Sequence, residues 1–145
     1  MKIKRPYVIL NGLKWSSKVL EVHGQTYFTY KQAIDILNGS NRRIPTKEEF
    51  QDLINLPNLW DDTKNGMWFA ENPEDIASDK SLFLPANGFM DNPPMIVKDF
   101  NKYGYYWGFS NKYENYLTSL SLGKNQLFTH EYNIKYGHSV ICILE

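Results

Sequence analysis

The segment Arg42-Arg43-Ile44-Pro45-Thr46-Lys47-Glu48-Glu49-Phe50 constrains the fold of this chain more than any other, because it holds a complete helix start. A residue before proline is pushed out of the α region, so Ile44 is extended. Thr46 then caps a helix by accepting from the backbone N–H of Glu49, while the Glu49 carboxylate reaches back to the Thr46 N–H. Phe50, Leu53 and Ile54 follow at helical spacing and give one apolar stripe, and Leu56-Pro57 closes the run. The spacing predicts a short amphipathic helix from Lys47 to about Asn55 that needs a core to lie on.

The rest of the chain reads mostly as β. Residues 7–10 and 13–15 are short apolar strands around Asn11-Gly12, a strong two-residue turn signal. Residues 19–22 read as a further strand before a His23-Gly24 turn. Thr29 is placed to cap a first helix over residues 30–37, with Ala33, Ile34 and Leu37 on one face and Asn38-Gly39 as its stop. Residues 67–70 and 82–84 are apolar strands separated by the polar loop 71–80. Residues 90–103, which include Asn92-Pro93-Pro94, show no clear period and read as a long connection of the functional or mobile kind. Residues 105–109 form a strand. Tyr116, Thr118, Leu120 and Leu122 alternate with Leu117, Ser119 and Ser121, the pattern of a half-buried strand. Gly123-Lys124-Asn125 turns it into a second arm over residues 126–131, and residues 138–144 form the closing strand. Two short helices in the N-terminal half followed by an antiparallel β meander predict an α+β fold. A length of 145 residues, without repeats or a linker, fits a single domain over residues 1–145.

Bulk composition excludes several classes. The formal charge is zero and the basic residues are dispersed, so no nucleic-acid partner is expected. No apolar run reaches membrane-spanning length, so no membrane insertion is expected. The basic start Met1-Lys2-Ile3-Lys4-Arg5-Pro6 lacks a signal-peptide core after it, which predicts synthesis in the cytoplasm, with release by cell lysis left open. Cys142 stands alone in an apolar run, so neither a disulfide nor a cysteine metal cluster is expected and a core position is. His23, His130 and His138 carry no ligand or catalytic spacing. No serine elbow, paired carboxylate motif or phosphate-cradling glycine loop appears. The expectation is a protein without enzymatic activity, cofactor or metal. Composition adds one positive hint. Seven of the ten tyrosines lie between Phe100 and Tyr136, interleaved with five asparagines, and tyrosine with asparagine is the material of adaptable binding surfaces.

Five segments in order carry a resemblance: Tyr7-Val8-Ile9-Leu10-Asn11-Gly12-Leu13-Lys14-Trp15, the run from Ile44 to Phe50, Ser81-Leu82-Phe83-Leu84-Pro85-Ala86-Asn87-Gly88-Phe89, Gly104-Tyr105-Tyr106-Trp107 and Tyr136-Gly137-His138-Ser139-Val140. Together they resemble the Fibrobacter succinogenes major paralogous domain (FISUMP) family, C-type-lectin-like domains common in gut Bacteroidetes and their phages. The resemblance implies a C-type-lectin-like fold in which early and late strands pair. Ile141 stands where the family usually has an arginine after Ser-Val, which removes the basis for an anchoring salt bridge there. Calcium-dependent sugar binding, known in the wider lectin group, needs converging hard oxygen ligands. This chain has no Glu-Pro-Asn tripeptide or late Trp-Asn-Asp strand, and Trp60-Asp61-Asp62 reads as a solvated acidic turn. The formylglycine-generating enzymes share the broad fold, but a lone buried cysteine cannot do their chemistry.

The resemblance also implies a role. Some phage and bacterial relatives vary the residues just ahead of the closing Gly-x-Ser-Val strand, which corresponds here to the Tyr- and Asn-rich region. Tyr105, Tyr106, Trp107, Tyr113, Asn115, Tyr116, Asn125, His130, Tyr132 and Asn133 are therefore the expected ligand contacts, with at least one aromatic of residues 105–107 reaching the surface. The expected partner is a protein or glycan on a bacterial surface, in the manner of a phage receptor-binding protein attaching to its host. The alternative is a virion decoration or assembly protein that uses the scaffold against other virion proteins, with a homotrimer as one arrangement open to it.

Overall fold

In the computed structural model, which describes residues 6–91, 95–110 and 116–145, β1 (Tyr7–Leu10) and β2 (Leu13–Ser16) form an antiparallel hairpin. Asn11 and Gly12 between them both take positive φ, the geometry that a two-residue hairpin turn demands. α1 (Tyr30–Leu37) starts on a capping box between Thr29 and Gln32. Its buried face is Ala33 and Leu37, with Tyr30 and Ile36 packed beside them. Ile34, expected on that face, is exposed, because Tyr30 and Ile36 rotate the stripe away from it. β3 (Arg42–Arg43) leads into α2 (Lys47–Ile54), where the predicted Thr46–Glu49 box is formed and Phe50 and Leu53 are buried.

Arg43 ties this start to the rest of the fold. Its guanidinium forks onto both Glu49 oxygens at 2.7 Å, and its Nε lies 3.4 Å from the Glu145 carboxylate. The Arg43 hydrogen bond, chief among several, holds the Glu49 carboxyl below the usual carboxylate range. The last strand is thus tied by an ion pair from β3, while Ile141 lies in the core.

β4 (Asn58–Asp61), β5 (Gly66–Phe69) and β6 (Leu82–Pro85) make a three-stranded antiparallel sheet, with a 3-10 turn at Pro73–Asp75 in the loop before β6. β7 (Phe89–Asp91) and β8 (Ile96–Lys98) then pair as a small hairpin of their own. Residues 90–103 are therefore not an unstructured connection. The hairpin was hidden because each arm is only three residues long, too short for a period to register; its Asn92-Pro93-Pro94 lies outside the described residues. β9 (Tyr103–Trp107), β10 (Tyr116–Gly123) and β11 (Gln126–Asn133) form the C-terminal sheet in the order β11-β10-β9. β12 (Ile143–Leu144) pairs with both β2 and β3, so early and late strands share one four-stranded sheet. The described architecture is α+β with mainly antiparallel pairing.

Two expected strands are corrected. Residues 19–22 make no strand: the Leu20 N–H bonds to the Val140 carbonyl, and only Val22 bridges to Gln25 around the His23-Gly24 turn. The closing strand shrinks to Ile143–Leu144. Ahead of it, residues 137–142 run as a buried spine that bonds residue by residue to different neighbours: His138 to Phe28, Ser139 to Tyr105 and Trp107, Val140 to Leu20, Cys142 to Ser16. The spine divides the interior in two. Ile141 and Ile143 enter a larger cluster with Trp15, Phe50, Phe69, Leu84, Tyr106 and Leu120. Val140 and Cys142 enter a second cluster with Phe28, Ala33, Trp107 and Leu117. Full burial of each such aliphatic or aromatic side chain is worth about 1.5–3 kcal/mol. Burial pushes the Cys142 thiol up to about 11, which leaves it an unreactive core group.

Candidate functional site

The C-terminal sheet has two unlike faces. Leu120 and Leu122 of β10 and Tyr106 of β9 join the larger core, with Leu127 of β11 packed against it, on the side where α2 lies. Lys47 of α2 stands 3.6 Å from Glu131 of β11 on that side. On the other face the register sets three rows side by side. Ser119 pairs with both Trp107 and His130, Ser121 with both Tyr105 and Phe128, and Leu117 with Tyr132.

The two serines in the middle row are small, and His138 from the spine occupies the room they leave. Its Nδ1 lies 2.6 Å from the Ser119 hydroxyl, and its ring stacks on Trp107 with centroids 4.0 Å apart and planes 16° apart. Tyr105 and Tyr132 stand against the same imidazole at 5.5 and 5.2 Å. Burial lowers the His138 pKa to about 3, so the ring is neutral at ordinary pH. The indole N–H of Trp107 donates to the Phe28 carbonyl, the Tyr132 hydroxyl shares a 2.6 Å hydrogen bond with Ser121, and the Tyr105 hydroxyl donates to Asp99. Burial, helped by that carboxylate, raises the Tyr105 phenol well above its ordinary value.

A Ser–His contact invites a nucleophile reading, but this pair is sealed. Ser119 is wholly buried and His138 nearly so, and Asp99 is engaged by Tyr105 instead of orienting the imidazole. The geometry is that of a buried, hydrogen-bonded polar pair under an aromatic cover.

The expected contact residues therefore separate. Tyr105, Tyr106 and Trp107 do not reach the surface: Tyr106 and Trp107 are fully buried and Tyr105 nearly so. The spine covers one side of β9 and the larger core the other, so alternation along β9 exposes neither face. Thr118, Ser119, Ser121 and Leu122 are buried for the same reason, and β10 is interior on both faces rather than half-buried. Tyr113 and Asn115 lie outside the described residues.

The remaining five lie at or near the surface of the β10–β11 hairpin. Asn125 is exposed at the turn. Tyr116 is exposed at the far end, paired in register with Asn133. His130 is exposed and Tyr132 half-buried on the same side of β11, their rings 5.2 Å apart. Phe128 extends that row, 42% exposed and edge-on to His130 at 6.4 Å. It was missed, although Phe128-His130-Tyr132 at spacing two was visible in the sequence. The result is a continuous aromatic series running from buried Trp107 and His138 through Tyr132 to exposed His130 and Phe128, along the edge strand of its sheet.

A second exposed feature stands nearby. Met95, Ile96 and Val97 of the β7–β8 hairpin and Phe100 beyond it are exposed. The hairpin base is fixed: Phe89 packs edge-on to Tyr105, Tyr136 and His138, and Gly88 takes positive φ where a Cβ would run into the Lys98 carbonyl.

For metal chemistry, Asp61 accepts from the Trp68 indole and from the Thr63 and Lys64 amides, and Asp62 from the Trp60 indole. Among the described residues no cluster of three His, Cys, Asp or Glu side chains is placed to hold a cation. No helix of the described residues is long and apolar enough to cross a membrane. Comparison with models of known protein families, with curated proteins and with solved structures finds no match to this chain.

Proposed function

We propose that this chain is a non-enzymatic binding module on a C-type-lectin-like scaffold, which contacts a protein or glycan of a bacterial surface through its C-terminal sheet. The observation that carries the reading is the row Phe128-His130-Tyr132 on the edge strand β11, exposed at Phe128 and His130 and backed by the buried rings of His138 and Trp107. A row held this rigidly loses little entropy when it meets a ligand, and aromatic groups dominate contact energies at such surfaces. Tyr116, Asn125 and Asn133 frame it with polar and aromatic groups. The resemblance to domains of gut Bacteroidetes and their phages, together with the pairing of β2 with β12, supports the scaffold and makes a host-contacting phage-particle protein the concrete form of the proposal.

The test is flow cytometry of fluorescent, multimerised protein on a panel of gut Bacteroidetes strains, multimerised so that weak single contacts register through avidity. The expected result is strain-selective staining that falls at least about tenfold in a Phe128→Ala/His130→Ala variant whose melting curve matches the parent. Staining that the variant retains overturns the placement of the site. Absence of staining on every strain favours the assembly reading, for which the specific observation is the exposed Met95-Ile96-Val97 hairpin.

A further inference from the structure

Strand β11 ends its sheet and pairs with β10 over eight residues without a bulge, which makes it the longest edge strand among the described residues. Sheet edges are ordinarily blunted by lysine, proline, a bulge or shortness, because unpaired backbone groups invite another strand. Gln126–Asn133 has none of these. Its one acidic group, Glu131, lies on the α2 side and is held by Lys47.

The hairpin fixes which backbone groups stay open. Its two-residue turn makes Gly123 and Gln126 a hydrogen-bonded pair, so Gln126, Phe128, His130 and Tyr132 turn their amides toward β10. The Gly108 N–H, which donates to the Thr118 carbonyl, sets the same alternation from the β9 side. Leu127, Thr129 and Glu131 therefore each aim an N–H and a C=O away from the sheet. Among the described residues these six groups have no hydrogen-bond partner. The next outward carbonyl, of Asn133, accepts from the Tyr136 N–H. The open set is thus three residues, symmetric about Thr129. Thr129 and Glu131, whose side chains lie on the α2 side, are only half-buried, so the helix leaves the outer flank of the strand uncovered.

We infer that β11 pairs with β11 of a second copy, antiparallel, about a two-fold axis through Thr129. That register sets Thr129 against Thr129 and Leu127 against Glu131 of the second copy. Its six hydrogen bonds use every open group on both strands. A shift of one register step opposes Glu131 to the turn at Asn125, or Leu127 to Asn133 with its occupied carbonyl. On the aromatic side Phe128 of each strand comes to lie across from His130 of the other, which repeats between copies the edge-on contact present within one. Both α2 helices then lie on one side of a joined six-stranded sheet and both aromatic rows on the other. A second copy is selected over a foreign strand because the open set matches itself and the chain has no net charge to repel its own copy. The contact closes at two, since it consumes the edge that makes it. It does not rest on what the row binds, and it turns one row of three rings into a patch of six.

The experiment is sedimentation velocity of the full chain from about 5 μM to about 1 mM. One strand per copy is a small interface, and its dissociation constant is expected on the order of 10–100 μM. Thr129 lies on the axis, so Thr129→Lys sets ammonium against ammonium and Thr129→Glu sets carboxylate against carboxylate. Each variant alone is expected to dimerise at least about fivefold more weakly than the parent, and an equal mixture of the two to recover the parent's strength. Melting curves that match the parent verify that the variants fold. A readout on the parent needs no variant: hydrogen exchange at the Leu127, Thr129 and Glu131 amides should slow as concentration rises. The proposal is overturned by a monomer at about 1 mM, by a trimer or larger assembly, by exchange at those amides that ignores concentration, by variants that dimerise as the parent does, or by a mixture that stays monomeric.

Discussion

The two hairpins of the C-terminal half both expose apolar side chains and are built in opposite ways. β10 and β11 pair over eight positions, and the aromatics of β11 form a chain that ends on a buried ring: Phe128 touches exposed His130, His130 touches half-buried Tyr132, and Tyr132 touches buried His138. β7 and β8 pair over three positions, with Asp91 and Lys98 as an ion pair at 3.0 Å and Met95, Ile96 and Val97 toward solvent. Among the described residues the small hairpin is fastened through Phe89, through the paired backbone hydrogen bonds of Met90 with Gly137, and through the Asp99–Tyr105 hydrogen bond. Exposed apolar area alone therefore does not define a recognition surface; what lies behind it does. The proposed contact surface is therefore the long hairpin, whose exposed rings are continuous with the buried ones, rather than the short one, whose Met95, Ile96 and Val97 have no such backing among the described contacts.

Removing the backing of the long hairpin is the most direct way to break this contrast. Trp107→Ala deletes the ring under His138 and leaves a Phe28 carbonyl without its donor, and is expected to cost about 3–5 kcal/mol in urea denaturation. A loss below about 1 kcal/mol would show that the aromatic stack is not what supports β11.

Acid probes the same backing more gently. His138 has its pKa depressed to about 3 by burial among Trp107, Tyr105, Tyr132, Phe89 and Ser119. The unfolded chain binds a proton near pH 6.5 and the native one does not, so this contribution is full above pH 6.5 and is lost as pH falls toward 3. Stability is expected to drop by about 2 kcal/mol between pH 6.5 and 5, from about 1.4 kcal/mol per pH unit, and His138→Gln should flatten that slope. A parent whose urea midpoint stays level over this range would mean the imidazole is charged or exposed in solution.

The smallest effect sharpens the comparison. Tyr105→Phe removes only the hydroxyl that reaches from the sheet to Asp99, worth about 1 kcal/mol. Hydrogen exchange should quicken in β7 and β8 while β10 and β11 keep their protection. Equal quickening in both hairpins would show that they share one cooperative unit.

How much of this was legible before the structure follows from the range of each interaction. The α2 start was readable because Thr46 and Glu49 close their box within three residues. The β1–β2 and β10–β11 turns were readable from Asn11-Gly12 and Gly123-Lys124-Asn125 for the same reason. The burial of Tyr105, Tyr106 and Trp107 was not, because it depends on residues 137–141 arriving on one side of β9. Nor was Ser119 readable as interior. Leu/Ser alternation describes a strand with one wet face, and only the docking of His138 turns that face dry. Phe128 could have been found by reading alternation along β11 with the weight given to tyrosine content.

The spine at 137–142 bears on how the molecule forms as well as on what it is. Both capped helices and the main hairpins close over short stretches of chain, so each can form early and nearly alone. The spine instead bonds to Ser16, Leu20, Phe28, Tyr105 and Trp107, the first three more than a hundred residues away in sequence, and closing such distances costs entropy before any contact rewards it. Until it docks, each core lacks a wall and the aromatic face of β9 lies open to water. The rate of folding is then expected to follow this one long-range event, with the aromatic row completed in the same step as both cores.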